Sequence, residues 1–465
     1  MPSLPASGEA AWACGPEAVL AFALEALRVA QEGGARPTPE TGRLFARALD
    51  ALIRESLDAQ RGDTSFQALV LQAHDVDVAW HARLAGGEAA DRRAVRAATD
   101  AFAHPGKLRG RPPGVLRDRL AAIHRLAAAG RWTELRQAAE RMLAAGANED
   151  AELGRALPPL LAHAGLERLE RGAALQGVES VRRYRALLER RGPPTAGAGA
   201  AEQGRTAARA GAFAEAAAVQ SFGRIAGWLN AAAGAACYRA VHGLCNPREL
   251  PAPPRGKAEW DAAIVRTASD AGAADRSAPE AGEAERGAAA LVLLAEVKAA
   301  PLAAAEDLPR LVRGLHALAR ADAGAAYAFG GATGEAPVRI VGASLRRLRP
   351  HGLVPPAGVI YACAADTEAP RRWLGAAAKG MLLADRASLA HADRLLRDGT
   401  PGADELLPLW DALQEVPRWR AVVQQYEAAR LAGELMLHPL DLEQAVQSAL
   451  AGWRAGCGTP STHSR

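Results

Sequence analysis

The chain has 465 residues, 49% of them hydrophobic and 23% charged, with a formal net charge of +4. This composition excludes a collagen, a coiled-coil rod and a disordered chain, and the length suits several domains with a real hydrophobic core. The mild basicity permits nucleic-acid binding without requiring it.

Lysine and arginine together number 56, yet only Lys107, Lys257, Lys298 and Lys379 are lysines. Where arginine fills almost every generic cationic role, each lysine is a candidate for a more specific one. Cys14, Cys237, Cys245, Cys363 and Cys457 are mostly far apart and form no C-x-x-C pair, so they read as reduced thiols of a cytoplasmic protein. The segment from Ala18 to Leu27 lacks a basic flank and contains Glu25, so it is not read as a signal peptide. No run approaches the ~20 apolar residues that span a bilayer.

In chain order, residues 1–192 read as a helical domain. Leu20, Ala23, Leu24 and Leu27 keep helical spacing until Gly33, Gly34 and Pro37 stop it. Gly42 to Ala59, Leu116 to Ala129, Trp132 to Ala145 and Val178 to Arg190 repeat the pattern. The pair around Gly130 resembles one unit of a helical repeat, but no period recurs, which favours an irregular helical domain. Residues 193–204 are small and breaker-rich and read as a linker. A helix from Gly211 to Ala233 follows, then strands at Tyr238 to Leu244, Ala258 to Thr267 and Ala289 to Ala299. The last of these is a continuous apolar run, expected to be buried on both faces. A helix at Ala303 to Arg320 and strands at Val338 to Leu345 and Gly358 to Ala364 complete an α/β region over 205–370. Between the second and third strands, Ala268 to Arg286 is polar and aperiodic and reads as a mobile loop. Residues 371–455 return to helix as a C-terminal region, and 456–465 read as a disordered tail.

Chemistry concentrates in the second and third strands. Residues two apart on a strand share a face, so Glu259 goes with Asp261, and Glu296 with Lys298. Desolvating an uncompensated carboxylate is expensive. If Asp261 and Glu296 meet at the sheet end, a cation belongs between them. A hard divalent ion such as Mg²⁺ (or Mn²⁺) suits two carboxylates with water and a phosphate. Lys298 would add a compact positive charge beside it.

The stretches E-W-D-A-A-I-V at 259–265 and L-L-A-E-V-K-A at 293–299 resemble the paired motifs of the PD-(D/E)XK nuclease superfamily. That resemblance implies a restriction-endonuclease-like mixed sheet of about five strands flanked by helices over residues 205–370, in a chain that is mostly α overall. It implies Asp261 and Glu296 as metal ligands, Lys298 as the group acting on water and transition state, and an added acid from the preceding helix. Glu215 is the candidate for that acid, with Gln220 nearby. The expected function is Mg²⁺-dependent hydrolysis of a nucleic-acid phosphodiester, DNA ahead of RNA. The helical N-terminal domain would recruit a protein partner or recognise substrate, and no membrane is involved. The alternative is an inactive nuclease-like binding protein.

Arg310 and Arg313, on the helix after the motif, are candidate phosphate contacts, against a solvated helix face. Arg346, Arg347 and Arg349 carry the same ambiguity, and His242 reads as structural. The chain has no G-x-x-x-x-G-K-[ST] and no G-x-S-x-G, which argues against a P-loop NTPase and an α/β-hydrolase.

Overall fold

In the computed structural model, residues 3–145, 151–190, 198–267, 287–331, 336–364, 373–397 and 399–457 are described. The chain divides into two units that interleave in sequence. One comprises Met1–Leu49, Pro193–Met381 and Leu407–Arg465, and the other Asp50–Gly192 and Leu382–Leu406. The first 49 residues of the expected helical domain therefore belong with the sheet, and the expected C-terminal helical region is shared between the two units. No described helix is long and apolar enough to cross a membrane.

The first unit holds the sheet. Helix α1 (Ala198–Ala233) leads into strands β1 (Tyr238–Cys245), β2 (Glu259–Thr267) and β3 (Ala289–Lys298). Helix α2 (Pro301–Leu318) follows, then β4 (Ala326–Phe329), β5 (Val338–Val341) and β6 (Val359–Cys363). Helix α3 (Gln425–Glu434) leads into a two-residue strand, β7 (Met436–Leu437), and the last helix is α4 (Pro439–Cys457). Among the described residues these seven strands form one mixed sheet. Strands β1, β2 and β3 are antiparallel neighbours. The other edge of β3 is shared: Ala289 pairs with Ile340 of β5, and Leu294–Lys298 runs parallel to Val359–Cys363 of β6.

Alternation along β3 divides two cores. Leu294 packs with Leu308, Leu311 and Leu315 of α2 and with Tyr361 of β6. Its neighbour Ala295 packs on the opposite face with Phe222 and Ile225 of α1. The expected two-sided burial of β3 holds at Leu294, Ala295 and Glu296 but not along its whole length, because Val292 is 45% exposed. The N-terminal helix Pro16–Glu32 sits in the same unit beside α3. There the Leu4 amide donates to the Tyr426 hydroxyl, and Lys379 pairs with Glu17.

Three expectations are corrected. Residues 198–204 of the expected linker open α1 rather than linking domains, and 193–197 lie outside the described residues. The expected strand Val338 to Leu345 stops at Val341, and Gly342–Arg346 is helical. A Cβ on Gly342 would lie 1.7 Å from the Asp322 carbonyl oxygen, so the chain turns there against backbone. Of the expected tail, Gly456 and Cys457 close α4, and 458–465 lie outside the described residues. The expected mobile loop, 268–286, also lies outside them.

The second unit is all helical where described. Its helix Thr64–His74 packs on Glu179–Arg190, while Glu88–Ala103 packs on Val115–Ala129 and on Ala164–Leu175. A repeat array would pair each helix mainly with its sequence neighbours. Pairing across more than a hundred residues of chain makes this an irregular helical bundle. Phe102, Leu120, Ile123, Leu135, Leu157 and Leu166 belong to one of its hydrophobic cores.

Candidate functional site

Ladder pairing between β2 and β3 ends at Ala262 and Ala295. Beyond that point the Asp261 side chain takes over from the backbone: its Oδ2 accepts the Val297 amide at 2.7 Å. This bond holds the carboxylate against the C-terminal end of β3, where Glu296 and Lys298 pair with Tyr361 and Cys363 of β6. Ends of parallel strands are where α/β folds gather chemistry, because the crossover leaves them open.

Glu296 is the most deeply buried member, 2% exposed. Its Oε1 accepts Lys298 Nζ at 2.8 Å and also contacts Lys257 Nζ. Among the described residues its buried Oε2 has no hydrogen-bond partner. Burial, reinforced by the Asp261 charge, pushes the Glu296 carboxyl up to about 7, while Lys257 and Lys298 pull the other way. Lys298 reaches onward to Asp307 Oδ2 of α2 at 3.3 Å. Burial works against the Lys298 ammonium, yet Glu296 and Asp307 outweigh it and hold its pKa above the ordinary lysine value. The Tyr361 hydroxyl donates to the same Asp307 oxygen at 3.3 Å. Burial first, then the charges of Asp307 and Glu296, push the Tyr361 phenol up, so it remains a donor.

Lys257 completes the cluster. Its Nζ lies 3.6 Å from Asp261 Oδ1 and contacts Glu296 Oε1, so one ammonium touches both carboxylates. Its backbone is held separately. The Lys257 amide donates to the Arg310 carbonyl of α2 at 3.3 Å. Arg313 donates from Nε and Nη2 to the Arg255 carbonyl at 3.1 and 2.8 Å. Arg255 adopts a positive φ of 59°, and the Gly256 amide closes the turn on the Pro253 carbonyl at 2.7 Å. Gly314 of α2 lets this turn come close, since a Cβ there would lie 2.7 Å from Lys257 Cβ.

The structure thus brings Asp261, Glu296 and Lys298 together. Glu215 is elsewhere: it is half-buried on α1, the helix covering the opposite face of the sheet from α2. Glu259 is exposed, as is Gln220. Arg310 is half exposed, 3.9 Å from Asp307, whereas Arg313 serves the 253–257 turn. Arg346, Arg347 and Arg349 are exposed around the end of the Gly342–Arg346 helix. Sequence reasoning missed Lys257 and Asp307. Lys257 had a signal, being one of four lysines and four residues before Asp261. Asp307 had none beyond its place on the helix after the motif.

Chemically, three carboxylates and two ammoniums share one water-poor corner, with one carboxylate oxygen left unpaired. Such a corner can bind a cation, present ammoniums to an anion, or hold a proton near neutral pH. Among the described residues no group of three or more His, Cys, Asp or Glu side chains is arranged to hold a metal ion. Comparison of the chain with protein-family models, with curated proteins and with solved structures gave no match.

Proposed function

We propose that the chain is a metal-dependent nuclease that hydrolyses nucleic-acid phosphodiesters, DNA ahead of RNA, on a restriction-endonuclease-like fold. The observation that carries this reading is the convergence of Asp261, Glu296 and Lys298 at the end of β3. The order of elements supports it: a helix, three antiparallel strands, a helix, and then β4, β5 and β6, of which β5 and β6 run parallel to β3.

The donor set fits a hard divalent ion such as Mg²⁺ or Mn²⁺. It offers two carboxylates, and the buried Glu296 Oε2 lacks a partner among the described residues. Asp261 and Glu296 would hold the ion once the Lys257 ammonium moves aside. When bound, such an ion lowers the pKa of water and offsets charge developing on the phosphate. Lys298 donates to the attacking water or to a phosphoryl oxygen, and Asp307 keeps its ammonium aimed. Exposed Arg310 offers a contact to the backbone phosphates.

A second reading has one observation in its favour. Lys257 already sits against both carboxylates, as it would in a nuclease-like domain that binds without cutting. The deciding experiment incubates the protein with single- and double-stranded DNA and RNA, with Mn²⁺ or with EDTA. Cleavage that EDTA stops supports the nuclease. Binding without cleavage supports the second reading.

A further inference from the structure

We infer that Lys257 is the resident cation of this site: its ammonium fills the place between Asp261 and Glu296, and a divalent ion enters only by displacing it. This rests on the proposed metal site and adds to it an intrinsic competitor.

Four observations carry the inference. First, Lys257 is 5% exposed and touches both carboxylates, the geometry expected of a bridging cation. Second, the two lysines on Glu296 are not equivalent. Lys298 pairs with Glu296 and Asp307, and among the described residues only Lys257 pairs with both Asp261 and Glu296. Third, the Lys257 backbone is anchored by bonds that do not involve the carboxylates: its own amide to Arg310, Arg313 to Arg255, and the close approach at Gly314. The four-carbon stem can therefore swing while the turn stays in place. Fourth, among the described residues the buried Glu296 Oε2 has no hydrogen-bond partner, so a second carboxylate oxygen is available beside the one that Lys257 occupies. A guanidinium would do this poorly, being a planar fork that pairs both oxygens at once, which gives a reason for lysine in an arginine-rich chain.

The consequence is an attenuated metal affinity. A ligand that binds only when a competing state is vacated has its apparent affinity reduced by the fraction of time the site is open. In exchange, the metal-free site does not leave the buried Glu296 carboxylate uncompensated beside Asp261.

The test measures Mn²⁺ binding to the full chain by calorimetry, for wild type, Lys257→Met, Lys257→Gln and Glu296→Gln. Both Lys257 variants should bind Mn²⁺ more tightly than wild type, by about 5–150-fold, the usual range of coupling between two sites. Glu296→Gln should lose binding. Equal affinity in wild type and both Lys257 variants, with Glu296→Gln defective, overturns the inference and leaves the metal site standing. No Mn²⁺ binding by any of the four proteins overturns the metal reading and the inference together. Should both Lys257 variants fail to fold, amine labelling of wild type read by peptide mass spectrometry decides. Displacement requires Lys257 to label faster with Mn²⁺ present, and an unchanged rate contradicts it.

Discussion

Lys298 and Asp307 form an ion pair of 3.3 Å between the end of β3 and helix α2. The same Asp307 oxygen accepts the Tyr361 hydroxyl, so three elements fix the direction of one ammonium. Groups that orient a functional side chain typically contribute about 10–100-fold to affinity or activity. Asp307→Asn should therefore lower kcat for cleavage by about that factor while changing KM little. An effect on KM alone would remove Asp307 from the positioning role.

Gly314 and Gly223 make a matched pair. A Cβ on Gly314 would lie 2.7 Å from Lys257 Cβ, and 3.0 Å from both the Lys257 carbonyl oxygen and the Trp260 ring. On exposed Gly223 of α1 it would meet nothing within 4 Å. Alanine gains about 1 kcal/mol of helix propensity at either position. Overpacking against backbone costs about 1–3 kcal/mol or more, so it outweighs that gain only at Gly314. Thermal melts should show Gly314→Ala lowered and Gly223→Ala unchanged or raised.

The contrast between these glycines bears on what the sequence reveals. β3 was legible because A-A-L-V-L-L-A-E-V-K is an unbroken apolar run ending in charge, and local pattern was enough. V-R-I-V-G-A-S-L also looks like a strand, but Gly342 abuts the Asp322 backbone, a contact set by tertiary packing, and Ser344 then bonds back locally to the Val341 carbonyl. β4 and β7, of four and two residues, are too short to leave a pattern. Asp261, Glu296 and Lys298 were legible because spacing along a strand fixes a shared face. Lys257 was not, because it lies in a proline-rich turn 39 residues from Glu296 and meets it only through the fold. The split of the N-terminal helices between two units was equally hidden, since an apolar stripe does not name its partner.

Phe222 is fully buried where α1 meets Ala262, Ile264 and Ala295 of the sheet. Removing a buried phenylalanine ring costs about 3–5 kcal/mol through lost transfer energy and the cavity left behind. Phe222→Ala should lower the denaturation midpoint of the sheet unit by a corresponding amount. A midpoint within error of wild type would mean that α1 is not held on the sheet through this contact.

In the helical unit, Arg168 bonds Asp91 with both ends of its fork, at 2.8 and 2.6 Å. Those bonds hold the Asp91 carboxyl below the usual carboxylate range. The unfolded chain binds that proton more tightly than the native state. The stabilisation is therefore present above the ordinary carboxylate pKa and is lost as pH falls through the lowered native value. Arg168→Ala should destabilise the unit at neutral pH and flatten its acid limb below about pH 4. Parallel acid limbs in wild type and variant would exclude Asp91 as a source of the pH dependence.

The central claim is that Asp261, Glu296 and Lys298 form a working phosphodiesterase site. Losing one preorganised electrostatic group at such a site costs about 10²–10³ in rate. The most direct measurement is Mn²⁺-dependent cleavage of a DNA substrate by wild type, Glu296→Ala and Lys298→Ala, with folding checked by circular dichroism. Wild type should show EDTA-sensitive cleavage, Glu296→Ala none, and Lys298→Ala a rate reduced by that factor. Cleavage of equal rate in all three folded proteins would contradict it.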